Sequence, residues 1–366
     1  MAQERQKTLK HTTVYFYHTR LTTESYEEWK EKKFPGHLLY GMPLFEKDGI
    51  ECVMHRYKPF QQRIKLMLYA TKEILFCQEK YDVLYGTSFR GLEIIIFLRA
   101  LGLYRKPIVV WHHTAVTSSS GKLRERVSRF FYKGIDKMFL FSKKLIADSI
   151  KTGKVNSEKM KLIHWGPDLD FYDSIKASIP KMNKDGFIST GKENRDIPTL
   201  IEAFNESNQK LELYIAKSCG SLKYDNIINK LEVRNNIDIT FTDGVIPYEL
   251  AKKVASKVCI VICCLDFPYT VGLTTLVEAF ALGMPVICSR NPNFEIDIDA
   301  EGIGITVEYG NIEGWIKAID YISAHPDEAR EMGEKARKLA QDRFNLKIFS
   351  HEITESIAEI NHNCYK

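Results

Sequence analysis

The chain has 366 residues, a formal net charge of +5 and 44% hydrophobic residues. That length exceeds what one hydrophobic core sustains, so two domains are expected, with the composition of an ordinary globular protein. No apolar run reaches the roughly 20 residues of a membrane-spanning helix. The polar stretch Met1–Lys10 lacks the apolar middle of a signal peptide.

Elements alternate between apolar strands and amphipathic helices, the pattern of parallel sheets with crossover helices. In the first half the strand candidates are 13–17, 50–56, 82–85, 107–111, 137–141 and 161–164. Helical stretches are predicted between them, for example at 61–79, 92–103 and 143–152. Strand 107–111 runs into His112 and His113 at its carboxyl end, where ligands of such sheets bind. The two histidines are candidates for positioning a hydroxyl or acting as a base; a structural pair reads equally well.

Between 101 and 155 the charge is lopsided. Arg105, Lys106, Lys122, Arg124, Arg126, Arg129, Lys133, Lys137, Lys143, Lys144, Lys151 and Lys154 face only Glu125, Asp136 and Asp148. Phe130, Phe131 and Tyr132 interleave with them. Such a patch attracts anions, among them phospholipid head groups, although a solvated helix face has the same composition.

A domain boundary is expected within Gly166–Asn183. Beyond it the strands are 186–189, 211–216, 238–241, 258–263, 285–288 and 303–307. The helices are 198–205, 224–233, 247–255, 273–282, 312–323, 326–342 and 346–361. The segment Asp266–Ile287 reads strand, glycine-containing loop, helix, glycine cap, strand. Free amides in the first turn near Gly272–Thr275, with the helix dipole, suit a diphosphate. Glu278 lies about one turn on, and Thr275-x-x-Glu278 is also a capping-box pattern. A second charged loop, Gly191-Lys-Glu-Asn-Arg195, follows strand 186–189. By themselves Lys192 and Arg195 there read as members of a surface salt-bridge cluster with Glu193 and Asp196.

The eight cysteines include no Cys-x-x-Cys pair and no paired Cys/His zinc spacing. Several sit in strand-like runs as small hydrophobes. The expected setting is reducing and cytoplasmic, free or peripheral on the cytoplasmic face of a membrane.

The run GLTTLVEAFALGMPVI, Gly272–Ile287, resembles the donor-site signature of GT-B glycosyltransferases, particularly glycosyltransferase family 4. The resemblance implies an α/β fold, GT-B, of two doubly wound Rossmann-like domains with an interdomain cleft. It implies that Glu278 binds the donor ribose, while Val271, Gly272, Leu273, Thr274 and Thr275 hold sugar and phosphates through backbone amides. The family pattern is Glu-x7-Glu, and here Thr270 stands in the first position. Phe187–Phe204 resembles the family element in which a basic pair neutralises the leaving diphosphate. That assigns the role to Gly191, Lys192 and Arg195, and cations there would stabilise the charge that develops as the glycosyl–phosphate bond breaks. Ile239–Leu250 resembles the loop whose backbone meets the nucleobase, giving Gly244, Val245 and Ile246.

In the first half, Phe34–Gly41 and Tyr85–Gly91 resemble family loops that place Gly36, His37 and Arg90 on the acceptor side with His112 and His113. Ser88 is expected to cap the next helix. His164–Phe171 resembles the hinge. The implied domains are residues 1–165 on the acceptor side, 166–345 binding the donor, and 346–366 a last helix that crosses back.

The expectation is transfer of a sugar from a UDP- or GDP-sugar, without a required metal, to a saccharide or lipid-linked acceptor. Retention is implied, and the basic 101–155 region would meet an anionic membrane. A GT-B-fold epimerase and a catalytically inactive nucleotide-sugar-binding subunit are the alternatives. No Gly-x-Gly-x-x-Gly follows a strand, which argues against a nicotinamide enzyme, and no nucleic-acid module is recognisable.

Overall fold

The computed structural model describes residues 12–179, 184–242 and 247–364. They form two compact units. The first comprises the described parts of Met1–Lys30, Gly36–His164 and Leu346–Lys366; the second comprises Glu31–Pro35 and Trp165–Asn345.

The first unit runs β1 (Thr12–Tyr17), α1 (Thr23–Lys30), 3₁₀ turns at Gly36–Leu39 and Met42–Asp48, β2 (Ile50–Met54), α2 (Arg63–Leu75), β3 (Val83–Gly86), α3 (Glu93–Ala100), β4 (Ile108–Trp111), α4 (Lys122–Lys133), β5 (Lys137–Leu140), α5 (Lys143–Ile150) and β6 (Met160–Leu162). All pairings are parallel, in the order β2-β1-β3-β4-β5-β6. β3 and β4 are buried along their whole length. That explains why they read as unbroken apolar runs, since a parallel sheet is covered on both faces.

The second unit runs α6 (Leu169–Ser178), β7 (Phe187–Ser189), α7 (Ile197–Ser207), β8 (Leu211–Ile215), a short hairpin of β9 (Ser218–Cys219) and β10 (Leu222–Lys223), α8 (Tyr224–Ile228), β11 (Ile237–Phe241), α9 (Pro247–Ala255), β12 (Cys259–Ile262), α10 (Leu273–Leu282), β13 (Val286–Ser289), β14 (Gly304–Val307), α11 (Ile312–Ala324) and α12 (Pro326–Asp342). Its main sheet has the order β11-β8-β7-β12-β13-β14. The chain winds one way from β7 and the other way from β12. The crevice of a doubly wound sheet therefore opens beyond the carboxyl ends of these two strands. The last helix, α13 (Leu346–Cys364), belongs to the first unit, where Ser350 Oγ donates to the Gly41 carbonyl at 2.9 Å.

Helices α9, α10 and α12 have the predicted bounds, whereas α8 stops at Ile228 rather than continuing to Val233. No bounds were predicted for helices α1, α4 and α6, and α6 occupies part of the stretch expected to hold the boundary. Ser88 does not cap α3. The cap position is Leu92, and the first-turn carboxylate of Glu93 accepts the Gly91 amide at 2.7 Å instead.

Candidate active site

The chemistry of the second unit gathers where β7 and β12 end. Gly191 follows β7 with φ +103°, and a Cβ there would lie 2.1 Å from Arg195 Nη2. Only glycine lets the arginine fold back over the strand end. Arg195 is 5% exposed. Its Nε and Nη2 donate to the Thr190 carbonyl at 3.1 and 2.9 Å, and its Nη1 to the Glu193 carbonyl at 3.2 Å and Cys264 Sγ at 3.1 Å. Nη2 also reaches Thr275 Oγ1 at 3.3 Å. These contacts use every N–H of the guanidinium. Among the described residues no carboxylate pairs with it, so a buried positive charge sits here held by dipoles alone. Asp196 belongs to α7 instead, as its cap, so the surface salt-bridge reading of this loop does not hold for Arg195. Lys192, on the same loop, is exposed.

The loop is tied to β12 by more than the arginine. The Asp196 amide donates to the Cys263 carbonyl at 3.1 Å and the Leu265 amide to the Asn194 carbonyl at 2.9 Å. The Arg195 amide donates to the Tyr224 hydroxyl at 2.9 Å. Asn194, itself at φ +48°, donates its side-chain amide to the Tyr269 hydroxyl.

Helix α10 starts on Gly272, at φ +92° and with no side-chain cap. A Cβ at this position would lie 2.6 Å from Ile262 Cγ2, so the turn sits directly on the end of β12. The capping-box reading of Thr275 and Glu278 is therefore wrong. Thr275 is inside the first turn and its hydroxyl receives Arg195. The Leu273 amide bonds back to the Thr270 carbonyl at 3.2 Å, and among the described residues no side chain caps the first turn at Gly272. Val271 and Thr270 are buried beneath it. Asn291 Nδ2 secures the loop by donating to the carbonyls of Tyr269 at 2.9 Å and Val271 at 3.4 Å.

Glu278 follows in the second turn of α10. Burial pushes its carboxyl up to about 7, opposed by a hydrogen bond from the Tyr172 hydroxyl of α6. The same enclosure drives Tyr172 far above its ordinary range, so it stays a donor. Gly244, Val245 and Ile246 lie outside the described residues. Among the described residues no cluster of three or more His, Cys, Asp or Glu could hold a metal ion.

In the first unit, His113 Nε2 lies 2.8 Å from the Tyr40 hydroxyl, beyond the end of β4. Burial lowers it to about 4, so the ring is neutral at pH 7. His112 is tied at both nitrogens, Nδ1 to the Thr114 carbonyl at 2.5 Å and Nε2 to the Tyr132 hydroxyl at 3.1 Å. Its Nδ1 must donate, and its ring stacks on Phe89 at 5.2 Å. His37 is 1% exposed, in the turn begun by Gly36, and burial lowers it to about 3. Arg90 is exposed and contributes its carbonyl to the Tyr17 hydroxyl at 2.8 Å. His18, at the end of β1, was not anticipated. Its Nδ1 accepts the Arg20 amide at 2.9 Å, leaving Nε2 protonated beside the Tyr40 ring, 5.8 Å between centroids.

The basic stretch resolves into two kinds of residue. Lys154 is 7% exposed and bound to Glu125 at 2.9 Å, and Lys144 and Lys151 share Asp148. Lys122, Arg124 and Arg126 are exposed on the first half of α4, beside uncovered Leu123 (76% exposed) and Val127 (48%). No described helix is long and apolar enough to cross a membrane.

Residues 175–339 match the family model described as glycosyl transferases group 1. A Lactobacillus johnsonii UDP-N-acetylglucosamine–N-acetylmuramyl-(pentapeptide) pyrophosphoryl-undecaprenol N-acetylglucosamine transferase is 25% identical over 308 residues, covering 78% of this chain and 76% of that protein. Among solved structures, Anabaena Alr3699/HepE in complex with UDP-glucose superposes with a TM-score of 0.70 at 14% identity, over 95% of this chain and 99% of that one. The sucrose-phosphate synthase of Thermosynechococcus elongatus gives 0.72 at 13% identity, over 95% and 99%. The matched segment spans α10, Glu278 and the Lys192–Arg195 loop: residues 175–339 carry the glycosyl transferases group 1 domain, and the chain is a glycosyltransferase of GT-B fold.

Proposed function

We propose that the protein transfers a sugar, with retention, from a UDP-sugar to a lipid-linked saccharide at an anionic membrane surface. The observation that carries the donor half is the buried, unneutralised guanidinium of Arg195 beneath the uncapped first turn of α10. A buried cation without a counterion is costly, and a diphosphate on the α10 amides would relieve it while gaining from the helix dipole. In this reading Lys192 touches the diphosphate and Arg195 supplies charge from below while holding the loop to α10. Gly191 gives the close approach. Val271–Thr275 line the sugar and phosphates, and Glu278 accepts from the ribose hydroxyls. Gly244, Val245 and Ile246 are assigned to the base. Uridine is favoured over guanosine because the Anabaena structure holds UDP-glucose and the Lactobacillus relative is named for a UDP-sugar.

Gly36, His37, Arg90 and His113 are assigned to the acceptor side, with His37 and His112 shaping the surroundings rather than moving protons. The lipid-linked acceptor is supported by the name of the Lactobacillus relative and by the exposed apolar and basic face of α4. A thermal-shift series against UDP, GDP, ADP and their glucose conjugates tests the donor assignment. A bound ligand raises the midpoint with its affinity, so UDP species should give the largest shift, and no shift with any of them would refute the reading.

A further inference from the structure

We infer that Tyr40 is a positioning residue that fixes His113 as its Nδ1–H tautomer, so that Nε2 is not open to act as a general base. The inference rests on the acceptor-side role proposed for His113. Tyr40 is held in an unusual backbone state, φ +53°, and is followed by Gly41 at φ +82°. Left-handed tyrosine is strained and persists only where its surroundings over-determine it.

Those surroundings are specific. The Trp111 indole donates to the Tyr85 hydroxyl at 2.6 Å, and Tyr85 in turn donates to the Tyr40 carbonyl at 2.9 Å. The Gly41 carbonyl is taken by Ser350 Oγ, and a Cβ at Gly41 would meet Ile353 and Ser350 at 3.0–3.1 Å. The strain therefore holds one side chain, whose hydroxyl ends 2.8 Å from His113 Nε2. The Tyr40 ring also meets the His113 ring edge-on, with centroids 5.9 Å apart. A neutral imidazole nitrogen is a better acceptor than a phenol oxygen, so the tyrosine proton points at Nε2. Nδ1 then carries the ring hydrogen, the less common form of a free histidine side chain.

A base at this position would need a nitrogen lone pair open to the substrate, and the assignment spends that lone pair on Tyr40.

Long-range ¹H–¹⁵N spectra of the histidine rings at pH 7 test this, with His113 assigned by the signals lost in His113→Asn. The expected result is a protonated Nδ1 and an unprotonated Nε2 in the wild type. In Tyr40→Phe the pair of shifts should move toward a tautomer mixture, while the thermal midpoint shift given by UDP stays within about twofold of wild type. An Nε2–H pattern in the wild type, or identical His113 shifts in both proteins, overturns the inference. If UDP binds neither protein while the Nδ1–H pattern is present, the donor reading fails and the tautomer assignment stands.

Discussion

Arg195 and Thr275 stand 80 positions apart and meet through a 3.3 Å hydrogen bond that fastens the β7–α7 loop to the first turn of α10. The proposed donor site would give Lys192 and Arg195 one shared duty. Their environments separate them. Arg195→Ala should lose about 2–3 kcal/mol of stability, because two carbonyls, a sulfur and a hydroxyl lose a charged donor in a buried place. Lys192→Ala should stay within about 0.5 kcal/mol of wild type, yet weaken UDP binding about tenfold, or ~1.4 kcal/mol. Urea unfolding and calorimetric titration of the two variants check this. Equal stability losses in both would contradict the division.

Two glycines carry the close approach of loop and helix. Gly191→Ala would drive a methyl into the Arg195 guanidinium, and Gly272→Ala would drive one into Ile262. Both are also in the left-handed region, where an L-residue costs about 1–3 kcal/mol before any clash. Gly310→Ala is the comparison, at φ +68° with nothing within 4 Å of its added carbon. Its cost should be near 1 kcal/mol and its UDP binding unchanged. Gly191→Ala and Gly272→Ala should each lose more stability than Gly310→Ala, and UDP affinity with it.

Much of this was legible in the sequence because the signals are local. The ends of α10 are written by Gly272 and Gly283, both left-handed in the structure, and the buried strands of both sheets show as apolar runs. What was not legible depends on long-range partners. Nothing near Arg195 in the chain announces that its donors go to Thr190, Cys264 and Thr275. The Thr275-x-x-Glu278 spacing imitates a capping box, and only the conformation of Gly272 decides against it. Tyr40 looks like any apolar-turn tyrosine until Tyr85 and His113 arrive from other strands. Helix α4 reads in the sequence only as a solvated basic face, because its charges mask an apolar stripe of Leu123, Val127, Phe130 and Phe131 at helical spacing.

That stripe divides along its length. Phe130 and Phe131 pack on Phe97 of α3, at 6.3 and 5.4 Å between centroids, while Leu123 and Val127 remain uncovered among cations. If the face meets anionic lipid, Leu123→Glu/Val127→Glu should abolish co-sedimentation with phosphatidylglycerol vesicles and leave the thermal midpoint and UDP binding unchanged. Each added cation near such a surface contributes about 1 kcal/mol, so Lys122→Glu/Arg124→Glu should weaken binding more than tenfold, increasingly at low salt. Equal sedimentation with neutral and anionic vesicles would remove the membrane assignment.

Glu278 offers a test in which stability and binding move in opposite directions with pH. Burial raises its carboxyl from an ordinary 4.5 to about 7, against the Tyr172 hydrogen bond that favours ionisation. Between these values the folded state binds more protons than the unfolded chain, so its contribution to stability declines as pH rises through that window. The loss is at most about 3 kcal/mol, and less where water reaches the carboxyl. Ribose hydroxyls, by contrast, donate to the ionised form. UDP affinity should therefore climb up to about tenfold from pH 6 to pH 8, while the same interval lowers the stability of the free protein. Glu278→Gln should flatten both profiles and weaken UDP at pH 8 more than at pH 6. Calorimetric binding and urea midpoints over that range measure the two slopes. A UDP affinity that falls with pH in the wild type, or a slope unchanged in Glu278→Gln, would detach Glu278 from the ribose.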